Sequence, residues 1–95
     1  INIPTAAAAN AGVAYRFVLS ANAAVGNSRV QSGAADLIGT IVDSTATVDQ
    51  VTAVAGINFL SAVPAVIGDN LEVYSNGQNW MVRAVSSTNS GITAT

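Results

Sequence analysis

Nowhere in this chain do apolar residues recur at helical spacing over more than a turn or two. They alternate instead in short runs, cut at close intervals by Gly, Asn, Pro and Asp. That punctuation constrains the fold more than any other feature, because strict alternation places every second side chain on one face of an extended strand. Tyr15 to Ser20 sets Tyr15, Phe17 and Leu19 against Arg16, Val18 and Ser20. Trp80 to Val85 sets Trp80, Val82 and Ala84 against Met81, Arg83 and Val85. Between Leu71–Ser75 and Trp80 lies Asn76-Gly77, the strongest short-range hairpin signal in the sequence, and it predicts a tight type I′ turn.

Further strands are expected over 28–32, 37–42, 50–55 and 57–63, with a last edge strand over 91–95. Gly39 interrupts a run that is apolar on both faces, as expected for a central strand with a bend or a close backbone approach. Pro64 bars the strand before it from running on through the centre of a sheet. Gly68-Asp69-Asn70 reads as a turn whose carboxylate bonds nearby backbone. Many short strands of this kind define an all-β chain, a small β-barrel or β-sandwich. Residues 1–14 read as an extended N-terminal arm. Pro4 holds Ile3 extended, and the Ala6–Ala9 run is too short to stand as a helix. Residues 15–95 form the single β domain.

The chemistry available is narrow. Among 95 residues there are three Arg and five acids, with no Lys, His or Cys. Without histidine, thiol or lysine there is no usual general base, no soft metal ligand and no Schiff-base amine, so neither an enzyme nor a cofactor is expected. Asp43, Asp49 and Asp69 are isolated and begin no calcium loop. Three scattered arginines and a net charge of −2 do not fit nucleic-acid binding. No apolar run reaches the ~18 residues of a membrane span.

Half the residues are hydrophobic, but many are alanine and only five are aromatic: Tyr15, Phe17, Phe59, Tyr74 and Trp80. So thin a core favours association with other protein surfaces. The surfaces expected to serve are Ile1, Asn2, Ile3, Pro4 and Thr5 of the arm, the outward pair Met81 and Arg83, and the edge at Gly91, Ile92 and Thr93.

Ala14-Tyr15-Arg16-Phe17-Val18-Leu19, followed by Ala34-Ala35-Asp36-Leu37-Ile38-Gly39-Thr40-Ile41-Val42, resembles the small capsid cement, or decoration, proteins of tailed bacteriophages. Val51 to Gly56 and Ala65 to Gly77 continue the similarity, in the same order, over two thirds of the chain. The resemblance implies a structural virion protein on the capsid exterior. Its partner would be the major capsid protein, and its state a homo-oligomer, with a trimer the expected number. The chain departs from the family where a closing strand would follow, so the edge at 91–95 is expected to be open and covered by another chain. A surface adhesin or fibre module binding a receptor or glycan, and a pilus or tail-tube subunit, suit the same composition.

Overall fold

The computed structural model describes residues 1–22, 26–43, 48–61 and 64–95. It is all-β, with two mixed sheets packed face to face. The described residues form nine strands: β1 (Asn2–Ile3), β2 (Ala14–Val18), β3 (Ser28–Ser32), β4 (Leu37–Val42), β5 (Val48–Val54), β6 (Gly56–Phe59), β7 (Asn70–Ser75), β8 (Trp80–Val85) and β9 (Ile92–Ala94). The smaller sheet has the order β1-β3-β6-β9, the larger β2-β7-β8-β4-β5. The turn expected at 22–27, the polar connection at 43–50 and the end of the 57–63 segment fall partly outside the described residues.

The alternation in sequence decides which face is buried. In β7, Leu71, Val73 and Ser75 point inward, and Glu72 and Tyr74 outward. In β8, Trp80, Val82 and Ala84 point inward, Arg83 and Val85 outward, and Met81 is half-buried. The smaller sheet contributes Ile3, Val30, Ile57, Phe59 and Ile92 from the other side, and the connection before β7 contributes Ala65. Trp80, Leu37, Ile57 and Leu71 are fully enclosed between the sheets. At about 25 cal/mol per Å² of apolar area, such side chains carry most of the stabilisation in a core with few aromatics.

Two pairings join segments far apart in sequence. β4 runs parallel to β8 along its whole length, from Leu37 opposite Trp80 to Val42 opposite Val85. β1 runs parallel to β3. Gly39 lies at the centre of the first pairing, where a bulge also shifts the register with β5. Its φ is +148°, and a Cβ there would fall on the Val82 carbonyl, 2.8 Å from the Val82 carbon. Close backbone approach, the expected role of this glycine, is what the fold requires of it.

The structure corrects two local expectations. Residues 1–14 do not stand off as an arm. Ile3 is buried beside β3, the Trp80 Nε1–H donates to the Pro4 carbonyl at 2.8 Å, and the Ala6 N–H donates to Asp36 Oδ2 at 2.7 Å. A short 3₁₀ turn over Ala8–Asn10 then leads into β2. An isoleucine with core to fill and a carbonyl that satisfies the only indole in the chain outweigh the freedom of a loose end.

The second correction concerns Asn76-Gly77, which is not a two-residue type I′ turn. The connection spans residues 76–79, closed by the Asn76 N–H donating to the Asn79 carbonyl at 3.1 Å. Asn76 Oδ1 accepts from the N–H groups of Gln78 (2.9 Å) and Asn79 (2.8 Å), so the side chain organises a wider loop. Only Gly77 of the pair has positive φ, at +95°. Gly77→Val is therefore still expected to lose about 1–2 kcal/mol from the left-handed backbone. Urea unfolding measures this, and an unchanged midpoint would show that the loop re-forms around the valine.

Asp69 serves the turn role assigned to it and more. Although it is buried, its Oδ2 accepts from the Val66 N–H and Ser86 Oγ–H, each at 3.0 Å. Its Oδ1 accepts from the Ser87 N–H (2.9 Å) and Oγ–H (3.0 Å). The carboxylate thus pins the entry of β7 to the exit of β8. Asp69→Ala is expected to cost about 2–4 kcal/mol, since hydrogen bonds to a charged group are worth more than neutral ones and buried N–H groups lose their acceptor. A thermal midpoint equal to the parent's would refute this role.

Candidate functional site: the outer face of the five-stranded sheet

The two outer faces of the sandwich differ in kind. On the smaller sheet the polar side chains are bonded to one another. Gln31 Nε2–H donates to Asn2 Oδ1 (2.8 Å), and Arg29 Nε–H to Gln31 Oε1 (3.0 Å). Arg29 Nη1–H donates to Asn58 Oδ1 (2.9 Å) and Thr95 Oγ1 (2.6 Å). The guanidinium lies flat over Gly56, where a Cβ would come 2.6 Å from Nε. Its Nε and Nη1 donors are taken by acceptors of the same chain, which leaves fewer for a partner to satisfy.

The five-stranded sheet presents the opposite arrangement. Its register aligns three rows across the strands. Ala14, Tyr74, Met81 and Ile38 form one apolar row, while Val18, Asn70, Val85, Val42 and Val48 form another. Between them runs Arg16–Glu72–Arg83–Thr40–Gln50, one polar side chain from each strand. Tyr74 is 54% exposed, Val18 55% and Val48 60%, values that place large apolar groups in water on one continuous face. Arg16, Glu72 and Arg83 form no side-chain hydrogen bond or ion pair among the described residues. Two of the chain's three arginines thus stand unengaged on this face, which carries only one of the five acids.

The face is hollowed. One depression of about 320 Å³ is lined by Arg16, Glu72, Tyr74, Met81 and Arg83. A wider one of about 700 Å³ lies over the β4–β5 bulge, between Ile38, Val48, Gln50, Thr52 and Met81. Met81 borders both. An aromatic, a methionine and two arginines around one depression is the composition of a protein-contact surface and not of a polar, fully hydrated one.

The sequence-derived candidates divide accordingly. Met81 and Arg83 lie at the centre of this face. Ile1 is 73% exposed and Asn2, Pro4 and Thr5 are also exposed, but Ile3 is committed to the core, as are Gly91 and Ile92. Thr93 is half-buried on β9, the edge strand of the smaller sheet, whose far side has no strand beside it among the described residues. Arg16, Glu72, Tyr74, Ile38 and Gln50 complete the face and were not among the candidates. Alternation told which way each points, but only the sheet order shows that these residues are neighbours.

Asp36 Oδ1 is buried without a hydrogen-bond partner, while its Oδ2 holds Ala6. No group of three or more His, Cys, Asp or Glu able to hold a metal occurs among the described residues. Among these same residues no helix is long and apolar enough to cross a membrane. The chain matches no family model, no curated relative and no solved structure.

Proposed function

We propose that this chain is a structural virion protein that decorates the exterior of a tailed-phage capsid, with the outer face of the five-stranded sheet turned to the major capsid protein. The contrast between the two outer faces carries the reading. One is polar and internally bonded, as suits a surface left in solvent. The other is hollowed, apolar and holds unengaged arginines, as suits a surface that gains by being covered. The sequence resemblance supplies the partner, and the segments that bear it include β2, β4, most of β5 and β7, all strands of this sheet. A cement protein needs no catalysis, because a modest contact repeated over a symmetric shell accumulates into strong retention.

Image reconstruction of virions tests this directly. Density is expected at regular lattice positions, with Met81 and Arg83 toward the shell. Met81→Asp with Arg83→Glu is expected to weaken shell binding about tenfold or more, since both sit at the centre of the face where contact residues contribute most. Both side chains are off the fully buried core, so the fold should persist in circular dichroism. Density in isolated spikes, or full occupancy by the double variant, would remove the reading and favour the adhesin.

A further inference from the structure

We infer that β2 is a strand-pairing edge, and that a second copy of this chain occupies it through a two-fold antiparallel joint centred on Phe17. Strands at sheet edges present unpaired backbone N–H and C=O groups, and proteins guard them with shortness, charged side chains, proline, bulges or inward charges. Three of the four edges here are guarded. β1 has two residues and is followed by Pro4, and β9 has only three. β5 carries a bulge, a left-handed Ala53 (φ 50°), and Asp49, which shares the inward side with its partner Ile41. β2 has five regularly paired residues and, of these devices, a single outward charge. That charge, Arg16, points to the outer face opposite Glu72, away from the plane in which a second strand would pair.

The backbone groups on offer can be named. The Leu19 N–H donates to the Asp69 carbonyl, and the Ser75 N–H to the Val13 carbonyl, each at 2.9 Å. By antiparallel alternation Tyr15 and Phe17 also bond to β7, so the N–H and C=O groups of Ala14, Arg16 and Val18 face outward from the edge. Exposed apolar surface gathers at the same place. Val13, Tyr15 and Val18 are 37–55% exposed, and Tyr74 lies beside them on β7. Behind the edge a cleft of about 530 Å³ opens between the two sheets, floored by Phe17, Leu19, Val30 and Phe59, with no acid in its lining.

The register follows from these constraints. Pairing centred on Arg16 would set two arginines directly opposite each other, which is unfavourable. Pairing centred on Tyr15 would cover residues 13–17, and Gly12, with φ +86°, ends the extended run there. Centring on Phe17 places Arg16 against Val18 of the second copy, and Tyr15 against its Leu19. The alternate side chains of the second copy then close the mouth of the cleft, and the larger sheets of the two copies become one. The joint is two-fold and gives dimers, in place of the trimer expected from the resemblance. It does not depend on the capsid reading, since it is measured without any shell.

Sedimentation of the full chain at micromolar concentration is expected to show a dimer. Val18→Pro removes an outward N–H that β7 does not use, and proline is tolerated on such an edge. The variant is expected to raise the dissociation constant at least tenfold while keeping the β spectrum. The chain has no cysteine, so single-cysteine variants report register. Facing residues at 17 would be a non-hydrogen-bonded pair with Cα atoms about 4.5 Å apart, within disulfide reach. Phe17→Cys is expected to cross-link under mild oxidation, and Tyr15→Cys is not. A monomer at every concentration, a trimer, or a dimer indifferent to Val18→Pro would overturn the joint. Cross-linking at residue 15 in place of 17 would overturn its register.

Discussion

Gly39→Val should remove a large share of the stability of the native sandwich. Two independent costs fall on the same atom. The backbone at φ +148° belongs to a region that side-chain-bearing residues avoid, at about 1–3 kcal/mol. The new Cβ also meets the Val82 backbone, and Val82 cannot retreat, because β8 is hydrogen-bonded to β7 on one side and to β4 on the other. Overpacking of a fixed site adds about 1–3 kcal/mol. The sum is on the order of 3 kcal/mol or more, a large share of the 5–15 kcal/mol typical of a domain. Gly39→Ala meets both costs as well and should behave almost as badly. Equilibrium urea unfolding of the alanine variant gives the number, and a loss below about 1 kcal/mol would mean that the bulge can slide to relieve the contact.

Removing Ile1 to Thr5 is expected to have an effect at least as large, and it falls on folding before it falls on any partner. The deletion takes Ile3 from the core, where loss of such a side chain costs about 2–5 kcal/mol. It also strips the Trp80 indole N–H of its Pro4 acceptor, at about 1–3 kcal/mol for a buried donor left unpaired. Thermal melting of the truncated chain should therefore show a large drop in midpoint. A parental midpoint together with weakened shell binding would instead restore these residues as a free docking element, as the sequence alone leads one to expect.

The sequence was informative wherever structure is local. Alternation sorted the residues of β2 and β8 by face, and for β8 it set Trp80 inside with Met81 and Arg83 facing out, as observed. Gly39 and Asp69 were legible because their roles follow from residue chemistry: one lacks a side chain where backbones meet, the other is a carboxylate beside a turn. The failures are all non-local. Nothing near Ile3 in the sequence announces β3 or Trp80, so a paired edge strand reads as a loose arm. Asn76-Gly77 carries the signature of a tight turn, yet the pairing of Ser75 with Trp80 sets a four-residue span and the asparagine side chain adapts to it. The candidate face was half visible. Met81 and Arg83 could be picked by composition, whereas Arg16 and Tyr74 required knowing that β2 lies against β7, and β7 against β8.

The bond from Trp80 to Pro4 joins residues 76 apart in sequence. During synthesis at about 5–20 residues per second, Pro4 is made several seconds before the indole that will bond to it. Until then Ile3 has no core to enter, and β4 likewise waits for β8 before its central glycine has a neighbour. The two long-range contacts that close the sandwich, Trp80 to Pro4 and β4 to β8, therefore both depend on a strand that is made late.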